Sequence, residues 1–271
     1  MSQSTPYDPP ETNDENCKFE NWYNANALKI WSRCGEKKEF PRQTLMPSFL
    51  SGFDLNYPDL SIGMNPSFSK SALNERVRQE TKWEGDAITL FEYSDEKPDN
   101  MKERINSIKE LEKNSKNKYT RFFGPITDVF KACGGENYNH LDLFLVRETN
   151  QKDATDILTA RNGEFFPFSQ FGKVQFDLLK EAIDRLIKKG NLERVLVANA
   201  KVANLLLNSD FNPNRLDKPI GLNPTHFVYE NIPFFLSGML SSGNTDGFAK
   251  TRLINEMKSY PPTIPPSLRR T

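Results

Sequence analysis

The sequence predicts an α/β protein, built as a three-layer α/β/α sandwich around a short, mainly parallel four-stranded sheet. Three observations carry this. Four short apolar segments, 60–63, 140–146, 195–198 and 232–236, are separated by stretches with helical periodicity. The second and third are apolar at nearly every position, as in strands covered on both faces. Each strand ends on polar or small residues, which places a common rim at the carboxyl ends of the sheet.

Taken in order, residues 1–16 are polar and rich in Pro, Asp and Glu, and read as a disordered leader. Residues 19–31 place Phe19, Trp22, Leu28 and Trp31 at helical spacing. After the first strand, residues 68–99 show poor patterning and read as a long excursion, with 88–93 a candidate extra strand. Residues 100–117 carry Met101, Ile105, Ile108 and Leu111 on one helical face, and a second helix follows over 119–133, stopped by Gly134 and Gly135. The clearest helix spans 171–189, with Gly190 as its natural terminus. A short helix over 200–207 and a last one bearing Phe248, Leu253, Ile254 and Met257, capped by Thr245 or Asp246, complete the set. Residues 261–271 form a Pro-rich tail. One domain over 17–260 is expected.

Composition excludes several classes. Lys plus Arg and Asp plus Glu number 36 each, so no global field draws the chain to nucleic acid or membrane. Residues 101–121 hold seven Lys or Arg against three Glu, the pattern of a solvated face that can also touch phosphates. No apolar run reaches bilayer length, and no membrane partner is expected. Three scattered cysteines and two histidines argue against a disulfide framework, a metal site or an iron-sulfur cluster. The cytoplasm is the default compartment, with no cofactor expected. The sequence leaves the oligomeric state open.

The candidate site lies at the strand ends. Gly63-Met64-Asn65-Pro66-Ser67 holds an amide stiffly just past the first strand, because Pro66 restricts the backbone before it. Arg147, Glu148 and Asn150 follow the second strand, Asn199 the third, and Ser237-Gly238-Met239-Leu240-Ser241 the fourth. An ordinary Asn-Pro turn would also explain the first of these. Asp142, inside an apolar strand, needs partners, with backbone amides or Arg147 expected to supply them. His140 and His226 read as ordinary loop or core residues. Phe68, Phe91 and Tyr93 are candidate stacking aromatics.

Gly63-Met64-Asn65-Pro66-Ser67 resembles the first motif of the uracil-DNA glycosylase superfamily, in the Gly-x-Asn-Pro form of its mismatch-specific branch. Ser237-Gly238-Met239-Leu240-Ser241 is similar to the Ser-Gly-Leu-Ser part of that branch's second motif. The resemblance spans about 59–257 and rests mainly on motif order and strand placement. It implies DNA as partner and base excision as activity, a repair hydrolase that flips a damaged or mismatched base into a pocket and cleaves its glycosidic bond. Asn65 and Ser237 are then the expected catalytic residues, with Asn65 orienting water. Gly63, Met64, Pro66, Ser67, Phe68, Asp142, Asn199, Gly238 and Ser241 are expected to contact base or DNA, with Met239 and Leu240 as wedges. Two departures stand out: Ser237 or Gly238 occupies the second-motif position of the superfamily's His, and Ser67 replaces a guarding Tyr. The alternative is a non-catalytic or repurposed member of the fold that binds a nucleobase, nucleotide or protein. A small-molecule α/β enzyme with a coincidental Asn-Pro turn is the third reading.

Overall fold

A computed structural model describes residues 12–93, 98–148, 150–212, 225–240 and 247–260. It is an α/β protein with a mostly parallel sheet of five strands: β1 (Asp59–Gly63), β2 (Tyr138–Asp142), β3 (Arg194–Ala198), β4 (His226–Tyr229) and β5 (Ile232–Ser237), in the order β2-β1-β3-β5-β4. Four of these strands are parallel. The fifth, β4, corrects the expected count: it pairs antiparallel with β5 through a two-residue turn at Glu230 and Asn231, whose φ values are 48° and 66°. Such turns favour Asn and Gly, and Glu at the first position hides the hairpin from sequence inspection.

Helices cover both faces. Helices α1 (Glu15–Trp31), α7 (Gln151–Leu158), α8 (Gln170–Lys189) and α9 (Ala200–Leu207) pack against Leu60, Ile62, Val195, Val197 and Phe234. On the other face α6 (Thr120–Ala132) and α10 (Gly247–Lys258) pack against Tyr138, Leu196, Ala198 and Phe235. Neighbouring residues of β3 and β5 thus enter different cores, as strand geometry requires.

A third core forms away from the sheet. Helices α2 (Lys70–Glu80), α3 (Ala87–Phe91), α4 (Pro98–Lys113) and α5 (Ser115–Lys118) fill the 68–118 excursion. Leu73, Val77, Leu90, Ile105 and Ile108 pack there with Met46 and Phe49. The expected strand at 88–93 is therefore helix α3 over most of its length. Asp86 sets it, its side chain accepting from Thr89 N at 2.9 Å.

The remaining boundaries shift for local reasons. Asp14 caps α1 by accepting from Asn16 N, and Asn16 Oδ1 accepts from Leu55 N at 3.0 Å, so residues 14–16 belong to the folded body rather than to a leader. Residues 1–11, Thr245, Asp246 and 261–271 lie outside the described residues. The expected strand at 140–146 is displaced to β2, and residues 143–146 continue as buried non-strand chain. Leu143 N and Phe144 N still donate to Gly63 and Met64 carbonyls, at 3.0 and 2.8 Å. Helix α8 ends as its sequence suggests, on Gly190 with φ 81°.

The β1–β2 pairing is not apolar on both faces. Its register opposes Asp59 to Tyr138, Ser61 to His140 and Gly63 to Asp142. Leu60 and Ile62 enter the first core while a row of polar and small residues faces the other way. Asp59 is held there by Arg194 through two contacts of 2.7 and 2.9 Å.

Candidate functional site

The sheet order creates a switch point. From β1 the chain moves out to β2, crosses back to β3, and continues outward to β5. The connections after β1 and β3 therefore diverge, which opens a crevice at their carboxyl ends. A cavity of about 350 Å³ lies there, lined by Met64, Asn65, Pro66 and Ser67 after β1, and by Asn199 after β3. The separately cored helices α2–α5 wall its far side through Leu73, Arg76, Leu111, Glu112, Lys113 and Lys116.

Asn65 is held by its own amide. Nδ2 donates to the Glu148 carbonyl at 2.6 Å and reaches the Val146 and Pro66 carbonyls at 3.3 Å each. Carbonyls only accept, so the amide can sit one way round, with Nδ2 on the loop and Oδ1 left as an acceptor. Asn199 is oriented by the opposite use of its amide. Its Oδ1 accepts from Lys201 N and Val202 N at the start of α9, leaving Nδ2 as a donor.

Asp142 and His140 form the floor beside them. His140 Nδ1 lies 2.7 Å from Ser61 Oγ and its Nε2 lies 3.4 Å from Asp142 Oδ1. Phe122 and Phe123 meet the imidazole edge-on, at 5.9 and 4.9 Å between ring centres. Gly63 makes this possible. A Cβ there would stand 2.3 Å from Asp142 Oδ1 and 3.0 Å from His140 Cε1. Gly63 thus supports the site by its missing side chain, without lining the cavity. The expected Asp142–Arg147 contact does not form. Arg147 instead pairs with Glu112, donates to the Met46 and Pro47 carbonyls at 3.1 and 3.0 Å, and sits 4.5 Å over the Phe91 ring.

Burial shapes the charges. It pushes the Glu112 carboxyl up, against the pull of Arg147 and of donors from Phe49 and Ser48. It pushes the Tyr23 hydroxyl up as well, with the Asp142 and Glu112 charges adding to the effect. Lys116 donates to the Tyr138 carbonyl and stands 4.8 Å from the centre of the Tyr138 ring. Burial alone pushes its amine down to about 8.

Of the residues expected from sequence, Met64, Asn65, Pro66, Ser67, Asp142, Asn199 and Met239 line one cavity. Ser237 ends β5, two strands away from β1, and does not line it. Gly238 and Leu240 do not either; Leu240 is buried in the second-face core. Phe68 packs edge-on against Phe91 at 5.5 Å instead of facing the cavity. Ser241 lies outside the described residues. Tyr23 and Glu112 escaped the sequence reading, His140 was read as an ordinary loop or core residue, and Lys116 entered only as part of the basic 101–121 segment. Glu112 and Lys116, four residues apart in a charged segment, look like a solvated helical face, and nothing in the sequence marks Tyr23.

No protein-family profile, curated protein or solved structure matches the chain. The chemistry must be read from its own residues. Among the described residues no group of three or more His, Cys, Asp or Glu could hold a metal ion. Among them, too, no helix is long and apolar enough to cross a membrane.

Proposed function

We propose that the cavity receives an extruded nucleobase and that the chain is a divergent uracil-DNA-glycosylase-like protein, hydrolysing the base's N-glycosidic bond. The orientation of Asn65 carries this reading. Its amide hydrogens are committed to backbone carbonyls, so Oδ1 is fixed as the acceptor available to position a water at the switch point. Asp142 and Glu148 line the same cavity and supply negative charge for the oxocarbenium-like sugar of the transition state. Asn199 Nδ2 can donate to the departing base as negative charge develops on it. With Ser237 out of the cavity, that role falls to Asn199. The parallel strands and the motif after β1 support the fold assignment, and DNA is the proposed partner.

The test is single-turnover base release from duplexes carrying uracil, hypoxanthine, xanthine or mismatched thymine, with abasic sites as the readout. Asn65→Ala should lower release about a hundredfold. Full activity in that variant would remove Asn65 from the water-positioning role. The clamp that Asn65 forms on residues 146–148 favours a second reading, a nucleobase- or nucleotide-binding protein without turnover. Binding of free nucleosides with no release from any duplex would select it.

A further inference from the structure

The cavity wall built by α4 and α5 carries a cation that, among the described residues, no carboxylate pairs with. Arg76, on the same wall, is neutralised by Glu80 at 2.9 Å, and Arg147 by Glu112. Among the described residues, the partners of Lys116 are the carbonyl and the aromatic face of Tyr138. Lys113, the last residue of α4, lines the same wall with an exposed side chain. The opposite wall, at the strand ends, carries Asp142 and Glu148. The cavity is therefore electrically two-ended.

From this arrangement we infer that the Lys113–Lys116 end is a phosphate subsite, and that the preferred occupant is a phosphorylated nucleoside, its base towards Asn65 and its phosphate against Lys116. The inference rests on the proposed base-binding role for the other end of the cavity. Three facts support the phosphate. A half-buried ammonium is costly unless paired, and its carbonyl contact uses one of three N–H donors, leaving two for an anion. The volume of about 350 Å³ exceeds what a lone pyrimidine fills and lies within the range of small-molecule sites. The amine is also poised to gain a proton when an anion arrives, because burial alone holds it near 8. Tyr138 is in direct contact with Lys116, and the charged and titratable groups facing the cavity include Arg76, Glu112, Lys113 and Tyr119 from the helical wall, and His140, Asp142, Arg147 and Glu148 from the strand-end side.

Calorimetric titration of the full chain with deoxyuridine, its 5′-monophosphate and inorganic phosphate tests this, alongside a uracil-containing duplex. The monophosphate should bind at least about tenfold tighter than the nucleoside. Lys116→Met should erase that difference while Lys116→Arg, which keeps the charge, preserves most of it. Binding of the monophosphate at pH 8.5 should take up protons, seen as a dependence of the heat on the buffer, and Lys116→Met should abolish the uptake. Equal affinity for nucleoside and monophosphate would overturn the inference, as would a preference that survives in Lys116→Met. If only the duplex binds and Lys116→Met weakens it, the subsite takes a nucleic-acid phosphate and the free nucleotide is overturned as the preferred occupant. Absence of binding by all four ligands would overturn it. Base release without any phosphate preference would defeat this inference alone. Monophosphate binding without base release would defeat the glycosylase reading alone.

Discussion

Gly63→Ala tests the geometry of the floor. Gly63 has no unusual φ, so alanine meets no backbone penalty and the whole effect is one of space. The added methyl would lie 2.3 Å from Asp142 Oδ1, roughly 1 Å inside ordinary contact. The carboxylate must swing off its rotamer or the strands must part. Overpacking of this kind costs about 2 kcal/mol, or a melting temperature lower by about 4–8 °C in a chain of this size. In an Asp142→Ala background that closest contact is gone, leaving His140 at 3.0–3.1 Å. The same methyl should then cost about 1 kcal/mol less. Thermal and urea melts of the four proteins give the coupling directly. Equal costs in both backgrounds would show that Gly63 does not accommodate Asp142.

Other expectations follow from the same contacts. Asn65→Asp should destabilise the fold more than Asn65→Ala at neutral pH, since a carboxylate would face three carbonyl oxygens; melting curves should show partial recovery once the acid is protonated. Arg147→Met should cost about 3–5 kcal/mol in urea melts by stranding Glu112, and much less when combined with Glu112→Leu. Asp14→Ala should lower stability by about 1 kcal/mol through loss of the α1 cap, measured by thermal melting. Lys116 titrates near 8 when folded and at its higher ordinary value when unfolded. The unfolded chain therefore binds more protons between these values, and this group's contribution becomes more favourable as pH rises through that window. Lys116→Met should remove that slope from stability measured between pH 8 and 10.5.

Much of the scaffold was legible because periodicity and punctuation agreed. Helices α8 and α9 and strands β1, β3 and β5 fall within a residue or two of their expected limits. Here apolar spacing, a capping Asn199 and a terminal Gly190 all point the same way. The failures occurred where side-chain chemistry overrode patterning. Residues 88–93 look like a strand, yet Asp86 offers its carboxylate to Thr89 N and starts a helix. The run from Leu143 to Val146 is apolar because it is buried, although its strand ends at Asp142. At the cavity, motif position led to Asn65 and Asn199 as lining residues, since strand ends are readable. It misplaced Ser237, because membership of the rim does not say which strands flank the crevice. That depends on strand order, which no local pattern encodes. Glu112 and Lys116 were not singled out within the 101–121 segment for a related reason: a charged stretch looks the same whether it faces solvent or a cavity.

The helical wall has a core of its own, joining Leu73, Val77, Ala87, Leu90, Ile105 and Ile108 to Met46 and Phe49, while Asn65, Asp142 and Asn199 are anchored on the sheet. The two halves of the cavity are thus inherited from different parts of the chain. Substitutions inside the helical core can reshape one wall without touching a strand end, so occupant size and charge can drift while the groups at the switch point stay fixed. A chain so divided can change what it admits at little cost to how it holds it.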